Sequence, residues 1–175
     1  MKAQDILVAL KIQSLQDQQA GDAPASWSQR KLAKETGVSL SQVNAALRRL
    51  EEVGLLSPSS HKVVRSALLE YLVHALKYVL PVVTGGVVRG MPSGYGADPL
   101  RSEFLSSEGD LGPVWPDAKG TVRGVAVKPL CKAAPMAAKR DRRLYEYLVL
   151  IDAIRGGRAR ERSKAVLILA KRLGQ

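Results

Sequence analysis

Hydrophobic residues recur at helical spacing through the first third of the chain. They predict an amphipathic helix over residues 3–19. A second helix is predicted to begin after the capping residue Ser28 and to end at Gly37, and a third to begin after Ser39 and to end at Gly54. In the third helix, the apolar positions expected to face inward are Leu40, Val43, Leu47, Leu50 and Val53.

The pattern changes beyond residue 60. Residues 63–80 predict a long helix with two apolar stripes, which we expect to be covered on both sides by another domain or by a dimer partner. A glycine-rich stretch over 84–96 and an irregular stretch over 97–120 precede a predicted strand at 121–127. From Asp141 onward the chain is predicted to be helical, with an interruption at two adjacent glycines, 156 and 157.

These elements predict a mainly α fold with a small β component, of the α+β class. The order of the elements divides the chain into three parts. Residues 1–60 form a helical domain, residues 61–80 a long connecting or dimerisation helix, and residues 81–175 a mixed domain with a helical end.

A helix, a short turn with glycine and a second helix with a polar outer face are typical of the helix-turn-helix motif. The residues that fit the motif are Leu32, Ala33, Gly37, Ser39, Val43, Leu47, Leu50, Gly54 and Leu55. On these residues, the N-terminal part of the chain resembles the winged helix-turn-helix domains of bacterial transcription regulators, MarR-like and related types. The resemblance implies that the third helix enters the major groove of double-stranded DNA. It departs at residues 57–62, which leave room for only a stunted wing.

The polar face of the third helix carries side chains suited to base contacts. Asparagine and glutamine pair with adenine, arginine pairs with guanine, and alanine can touch the thymine methyl group. The candidate DNA-binding residues on this helix and its cap are Ser39, Ser41, Gln42, Asn44, Ala45 and Arg48. Candidates for phosphate contacts are Arg30, Lys31, Lys34 and Arg49. The alternative is a solvated helix in a domain that serves protein contacts.

Charge is distributed unevenly along the chain. The net charge of +11 is matched by residues 118–175 alone, which hold fifteen basic and four acidic side chains. Such a segment favours a polyanion or an acidic protein as partner, and a solvated basic surface is the alternative. Arg158, Arg160 and Arg162 are candidates for a second nucleic-acid contact.

A five-residue pattern that begins with glycine and ends with Val-Arg-Gly occurs twice, at residues 86–90 and 120–124. Its arginines, Arg89 and Arg123, could together bind an anionic effector. Alternatively, they lie in β-turns and join two loops through backbone carbonyls, which is the interpretation we favour from the neighbouring glycines.

Other classes of function lack the residues they need. Two histidines and the single cysteine, Cys131, cannot supply a Cys/His metal cluster, and the sequence contains no catalytic motif, so we expect no cofactor, no metal and no enzyme activity. The longest apolar stretch, at 79–88, is too short to span a bilayer, and the lone thiol suits the cytoplasm.

The sequence therefore predicts a sequence-specific transcriptional regulator that binds double-stranded DNA as a homodimer and acts as a repressor. A small molecule or a protein would serve as its effector, bound by the C-terminal domain. The alternative is an antitoxin or defence-system protein whose basic C-terminal region binds a partner or single-stranded nucleic acid.

Overall fold

The computed structural model describes residues 1–18, 27–104 and 111–174. It is mainly α with a small three-stranded sheet, as the sequence predicts. The helices are α1 (Ala3–Asp17), α2 (Gln29–Thr36), α3 (Leu40–Glu52), α4 (Arg65–Glu70), α5 (Leu76–Val79), α6 (Arg101–Phe104), α7 (Ala134–Arg140), α8 (Arg142–Gly156) and α9 (Ala159–Arg172). The strands are β1 (Thr84–Pro92), β2 (Pro113–Pro116) and β3 (Val122–Val127).

The helix ends near the N-terminus follow the local sequence signals. The Ser28 side chain accepts a hydrogen bond from a backbone amide in the first turn of α2, and Ser39 does the same for α3. Gly37 and Gly54 adopt left-handed φ angles of 74° and 73° directly after these helices. The predicted caps and stops of α2 and α3 are confirmed.

Helix α1 is buried on all sides, so the predicted exposed polar face is wrong. Every residue from Asp5 to Leu15 is buried, including Lys11, Gln13 and Ser14. The reason is that α2 and α3 pack on one side of α1 and α8 packs on another. The buried apolar residues of the N-terminal helices and of α8 consequently form one continuous cluster.

A buried ion-pair cluster joins α1, α2 and α8. The Lys11 ammonium lies 2.7 Å from a carboxylate oxygen of Asp141 and 2.7 Å from one of Glu35. Asp141 also accepts hydrogen bonds from the Ser14 hydroxyl and from the Leu144 amide, which it caps at the start of α8 as predicted. Burial opposes ionisation of Asp141, but these hydrogen bonds outweigh it and hold the pKa of the carboxyl group below its usual value.

The long helix predicted over 63–80 is present from residue 65 to residue 79. A π-helical turn, Tyr71–Ala75, joins α4 to α5 without a break. Each of the two predicted apolar stripes is covered in part, because Leu68 and Leu72 of one stripe and Leu76 of the other are fully buried. The remaining residues of both stripes are half-buried except Val79, and the helix exposes apolar side chains only near its end.

The sheet is formed largely by the part of the chain that the sequence analysis describes as glycine-rich and irregular. Strand β1 pairs antiparallel with both β2 and β3, and β2 pairs parallel with β3, which confirms the strand predicted at 121–127. Strands β1 and β2 are not predicted by the sequence. Their pairing depends on glycine, because a Cβ atom at Gly90 would lie 2.1 Å from the carbonyl oxygen of Trp115.

A second buried carboxylate attaches the sheet to α8. Asp152 accepts hydrogen bonds from the Ser93 hydroxyl at 2.6 Å and from the Trp115 indole nitrogen at 2.7 Å. It also pairs with Arg155 on its own helix at 2.6 Å. Helix α8 therefore contacts the N-terminal helices through its capping residue Asp141, and it contacts the sheet near its last turn.

We predict that Asp141→Asn lowers the free energy of unfolding at neutral pH by about 3 kcal/mol, because the buried Lys11 ammonium loses one of its two carboxylates. A carboxyl group whose pKa is lowered by folding stabilises the protein above its unfolded pKa and loses that contribution on protonation. The difference between wild type and variant should therefore shrink as the pH falls below about 4. Urea titrations over that range measure it. Glu70→Gln, at an exposed carboxylate, is the control. A difference that is independent of pH would contradict the assignment.

Candidate nucleic-acid interface

Helix α3 has one buried side and one polar, solvent-facing side. Val43, Ala46, Leu47 and Leu50 are buried against the rest of the domain. Ser41, Gln42 and Arg48 are exposed on the other side, as the sequence predicts. These three side chains are available to a ligand that approaches α3 from the solvent.

The ends of α3 differ from the prediction. Leu40 and Val53 were expected to face inward, but they are 46% and 53% exposed. Leu40 is the first residue of the helix and Val53 follows its last residue. Both lie outside the buried positions of α3, which run from Val43 to Leu50. The inward stripe of α3 is therefore shorter than its periodicity suggests.

Two candidate residues of α3 are partly covered. The Asn44 amide donates a hydrogen bond to the Gln29 side-chain oxygen at 3.2 Å, which links α3 to α2, and Ala45 is half-buried. Ser39 is engaged as the helix cap, with its hydroxyl 3.3 Å from that of Ser41. A base contact by Asn44 would have to use the second donor or the oxygen of its amide.

Arg49 is a candidate phosphate contact from the sequence, but in the structure its side chain is bound within the domain. Its guanidinium donates two hydrogen bonds to the Asp5 carboxylate, at 2.8 Å and 2.7 Å. Asp5 is fully buried in α1, so this bidentate pair joins α3 to α1. The physical cause is the need of a buried carboxylate for a partner, which makes Arg49 a structural residue.

The cations of α2 remain on the surface. Arg30 and Lys34 are exposed and Lys31 is half-buried. Within the described residues, the side chains of these three cations and of Arg48 make no hydrogen bond or ion pair, so all four charges are available to an anionic ligand.

A cavity of about 800 Å³ separates α3 from the turn that follows it. It is lined by Asn44 and Arg48 on one side and by His61 and Lys62 on the other, with Trp27 at one end. The rings of Trp27 and His61 meet edge to face at 6.1 Å. Sequence reasoning missed Trp27 and His61. The signals that could have found them are a tryptophan directly before the Ser28 cap and a lone histidine in a serine-rich turn.

The segment after α3, where a winged domain would carry its wing, contains one isolated β-bridge, between Leu56 and Val63. The turn between them is closed by the Ser57 amide, which donates to the Lys62 carbonyl at 2.9 Å. His61 adopts a φ of 54°, which is rare for a residue other than glycine. This short turn agrees with the limited room that the sequence leaves at residues 57–62.

The repeated Val-Arg-Gly pattern occupies neighbouring strands. Arg89 and Arg123 are direct partners across the antiparallel pair of β1 and β3, and both are exposed. They do not lie in β-turns, and neither side chain donates to a backbone carbonyl within the described ranges. The favoured interpretation as loop-joining turn arginines is therefore wrong in its geometry, because the glycines serve close strand packing instead.

Arg158, Arg160 and Arg162 lie at the opposite end of α8 from Asp141. Arg162 donates to the carbonyl groups of Ile154 and Gly157, both at 3.1 Å, and so satisfies the exposed end of α8. The guanidinium of Arg160 lies 5.9 Å from the centre of the Phe104 ring. The structure does not bring these three arginines together with the polar side of α3 in any described contact.

Residues 1–56 match the family model of a helix-turn-helix domain, over about a third of the chain. This match covers α1, α2 and α3. The N-terminal segment is a helix-turn-helix domain. No curated protein and no solved structure matches the chain. The helix-turn-helix domain supports DNA binding, and α3 is the second of the two helices that form the motif.

The described part of the chain contains no group of three or more histidine, cysteine or acidic side chains that could hold a metal ion. Among the described helices, none combines the length and the apolar character that a bilayer crossing requires.

We predict that Arg49→Ala and Arg48→Ala have different effects on stability. Loss of Arg49 leaves the buried Asp5 carboxylate without its bidentate partner and should lower the free energy of unfolding several times more than loss of Arg48 does. Loss of the exposed Arg48 should change it by less than about 0.5 kcal/mol. Denaturant titrations followed by circular dichroism compare the two. Equal losses in both variants would show that Arg49 does not hold α3 to α1.

Proposed function

We propose that this protein is a sequence-specific, double-stranded-DNA-binding transcriptional regulator of the MarR-like kind, with α3 in the major groove. The observation that carries the proposal is the exposed polar side of α3, where Ser41, Gln42 and Arg48 project from a helix whose other side is buried. The match of residues 1–56 to a helix-turn-helix domain supports it.

The chemistry of the exposed side chains suits base contacts. An arginine fork pairs with the two acceptors of guanine, and a glutamine amide pairs with adenine in the major groove. The side chains of Arg48 and Gln42 have no partner within the described ranges and can make such contacts. Arg30 and Lys34, on the exposed side of α2, are suited to the adjacent phosphates.

Repression is the mode of regulation that these features favour. A repressor needs only to occupy its DNA site, and the exposed side of α3 is sufficient for that. We further propose that an anionic effector modulates binding at Arg89 and Arg123, since two unpaired cations directly opposite each other on a sheet are stabilised by a shared anion.

A homodimer would place two copies of α3 on successive half-sites, about 34–36 Å apart. The end of the helix from 65 to 79 supports this arrangement, because Tyr78 is 75% exposed and Val79 is 51% exposed there. Val83, just before β1, is also 59% exposed. An apolar patch of this kind is typical of an interface between copies of a chain.

The second candidate function is an antitoxin or defence-system protein that binds a partner or single-stranded nucleic acid. It is favoured by the position of the charge, since the net excess lies in residues 118–175, outside the helix-turn-helix domain. In that case Arg158 and Arg160, which follow α8, would contribute more to binding than Arg48 of α3.

The test begins with selection of duplexes by the wild-type protein from a random library. We predict that Arg48→Ala and Gln42→Ala each weaken binding to the selected sequence by about 1–3 kcal/mol, or about 5- to 150-fold, and change non-specific binding much less. Fluorescence anisotropy measures both affinities. The double variant Arg158→Ala/Arg160→Ala is the control, and it should retain sequence-specific binding.

Two results would contradict the proposal. One is a selection that enriches no duplex sequence. The other is loss of binding in the control variant while Arg48→Ala binds as the wild type does, which would favour the second candidate function.

A further inference from the structure

A groove of about 770 Å³ separates α2 from the junction of α7 and α8. Its basic lining is formed by Lys31 from α2 and by Arg140, Arg142 and Arg143 from the junction. Lys34 adjoins it, because the Arg140 guanidinium donates a hydrogen bond to the Lys34 carbonyl. We call these five residues the α2–α8 basic surface.

The acidic residues of the groove are already paired. Glu35 and Asp141 share the buried Lys11 ammonium. Glu146 lies 2.6 Å from Arg172 and 3.3 Å from Arg142. Within the described part of the chain, Lys31, Lys34, Arg140 and Arg143 have no carboxylate within ion-pair distance. The α2–α8 basic surface thus carries an uncompensated positive charge.

This surface continues from the polar side of α3 around α2. Successive residues of a helix are rotated by about 100°. Gln29 faces α3, where it binds Asn44, whereas Glu35 faces α1 and α8 through Lys11. The exposed Arg30 and Lys34 lie between these two sides of α2. A ligand that extends from α3 across α2 therefore reaches the groove.

Helix α7 holds the arginines next to the helix-turn-helix turn. A Cβ atom at Gly37 would lie 2.1 Å from the Met136 methyl group, so α7 packs directly on the turn between α2 and α3. Asp141 fixes the start of α8 through Lys11, which places Arg142 and Arg143 in the first turn. Their side chains project from the first turn of α8 and are exposed.

We infer that the α2–α8 basic surface binds backbone phosphates of double-stranded DNA beside the bases contacted by α3. The inference rests on the proposed function and extends it to the part of the chain outside the helix-turn-helix domain. Contacts to phosphates fix the position of a protein on a duplex without selecting sequence. An arginine fork matches the geometry of a phosphate group. Continuity with α3 favours DNA over an acidic protein as the occupant.

The test compares two double variants at opposite ends of α8. Arg142→Ala/Arg143→Ala removes two charges from the α2–α8 basic surface, and Arg158→Ala/Arg160→Ala removes two from the other end, about 20 Å away along the helix. All four side chains are exposed. Removing positive charge from a helix N-terminus does not weaken the helix, so the first variant should fold.

Affinity is measured over a range of salt concentrations, for a duplex that carries the selected sequence with flanks on both sides and for one of unrelated sequence. We expect Arg142→Ala/Arg143→Ala to reduce the slope of log affinity against log salt by up to about 1.8, at about 0.9 for each phosphate contact. Both duplexes should lose affinity by the same factor. The Arg158→Ala/Arg160→Ala variant should keep the wild-type slope.

An unchanged slope in Arg142→Ala/Arg143→Ala, with selective binding intact, would overturn the inference and leave the proposed function standing. An equal reduction of the slope in both double variants would also overturn it, because the effect would then follow from net charge alone. If the wild type shows no sequence preference but the first variant alone reduces the slope, the phosphate contacts stand and the proposed function fails.

Discussion

The structure depends on the burial of one ammonium group. Lys11 lies in the middle of a helix that is otherwise covered on all sides, and a buried charge without partners would cost several kcal/mol. Its two partners come from different elements, Glu35 from α2 and Asp141 from the start of α8. The Lys11 ammonium therefore has both of its carboxylate partners only when α2 and the start of α8 are packed on α1 together.

This constraint connects packing to the proposed function. Asp141 both caps α8 and pairs with Lys11, so the residues that follow it are held at a fixed place beside α2. The arginines of the first turn of α8 thereby become neighbours of the domain that carries α3. At the other end of the helix, Arg155 and Arg162 are engaged by a carboxylate and by backbone carbonyls, and serve the fold. The basic excess of the C-terminal third thus divides into structural and surface-exposed charges.

The features that could be predicted from the sequence are those set by residues close together in the chain. The caps at Ser28, Ser39 and Asp141 were predictable because each acts on an amide three residues away. The buried role of Arg49 was not, because its partner Asp5 is 44 residues distant. The same holds for the full burial of α1, whose covering helix α8 begins more than a hundred residues later. Strand β1 was not predicted, because its glycines disfavour a strand locally. The need for glycine at position 90 follows only from the close approach of β2.

Helices α2, α3 and α8 should form one cooperative unit around α1. Native-state amide hydrogen exchange of the full chain, followed residue by residue at increasing urea concentrations, is the decisive measurement. We expect the core amides of α1, α3 and α8 to exchange with the same free energy and the same urea dependence, both equal to those of global unfolding. This expectation would be contradicted if α3 and α1 remained protected under conditions in which α8 had already opened.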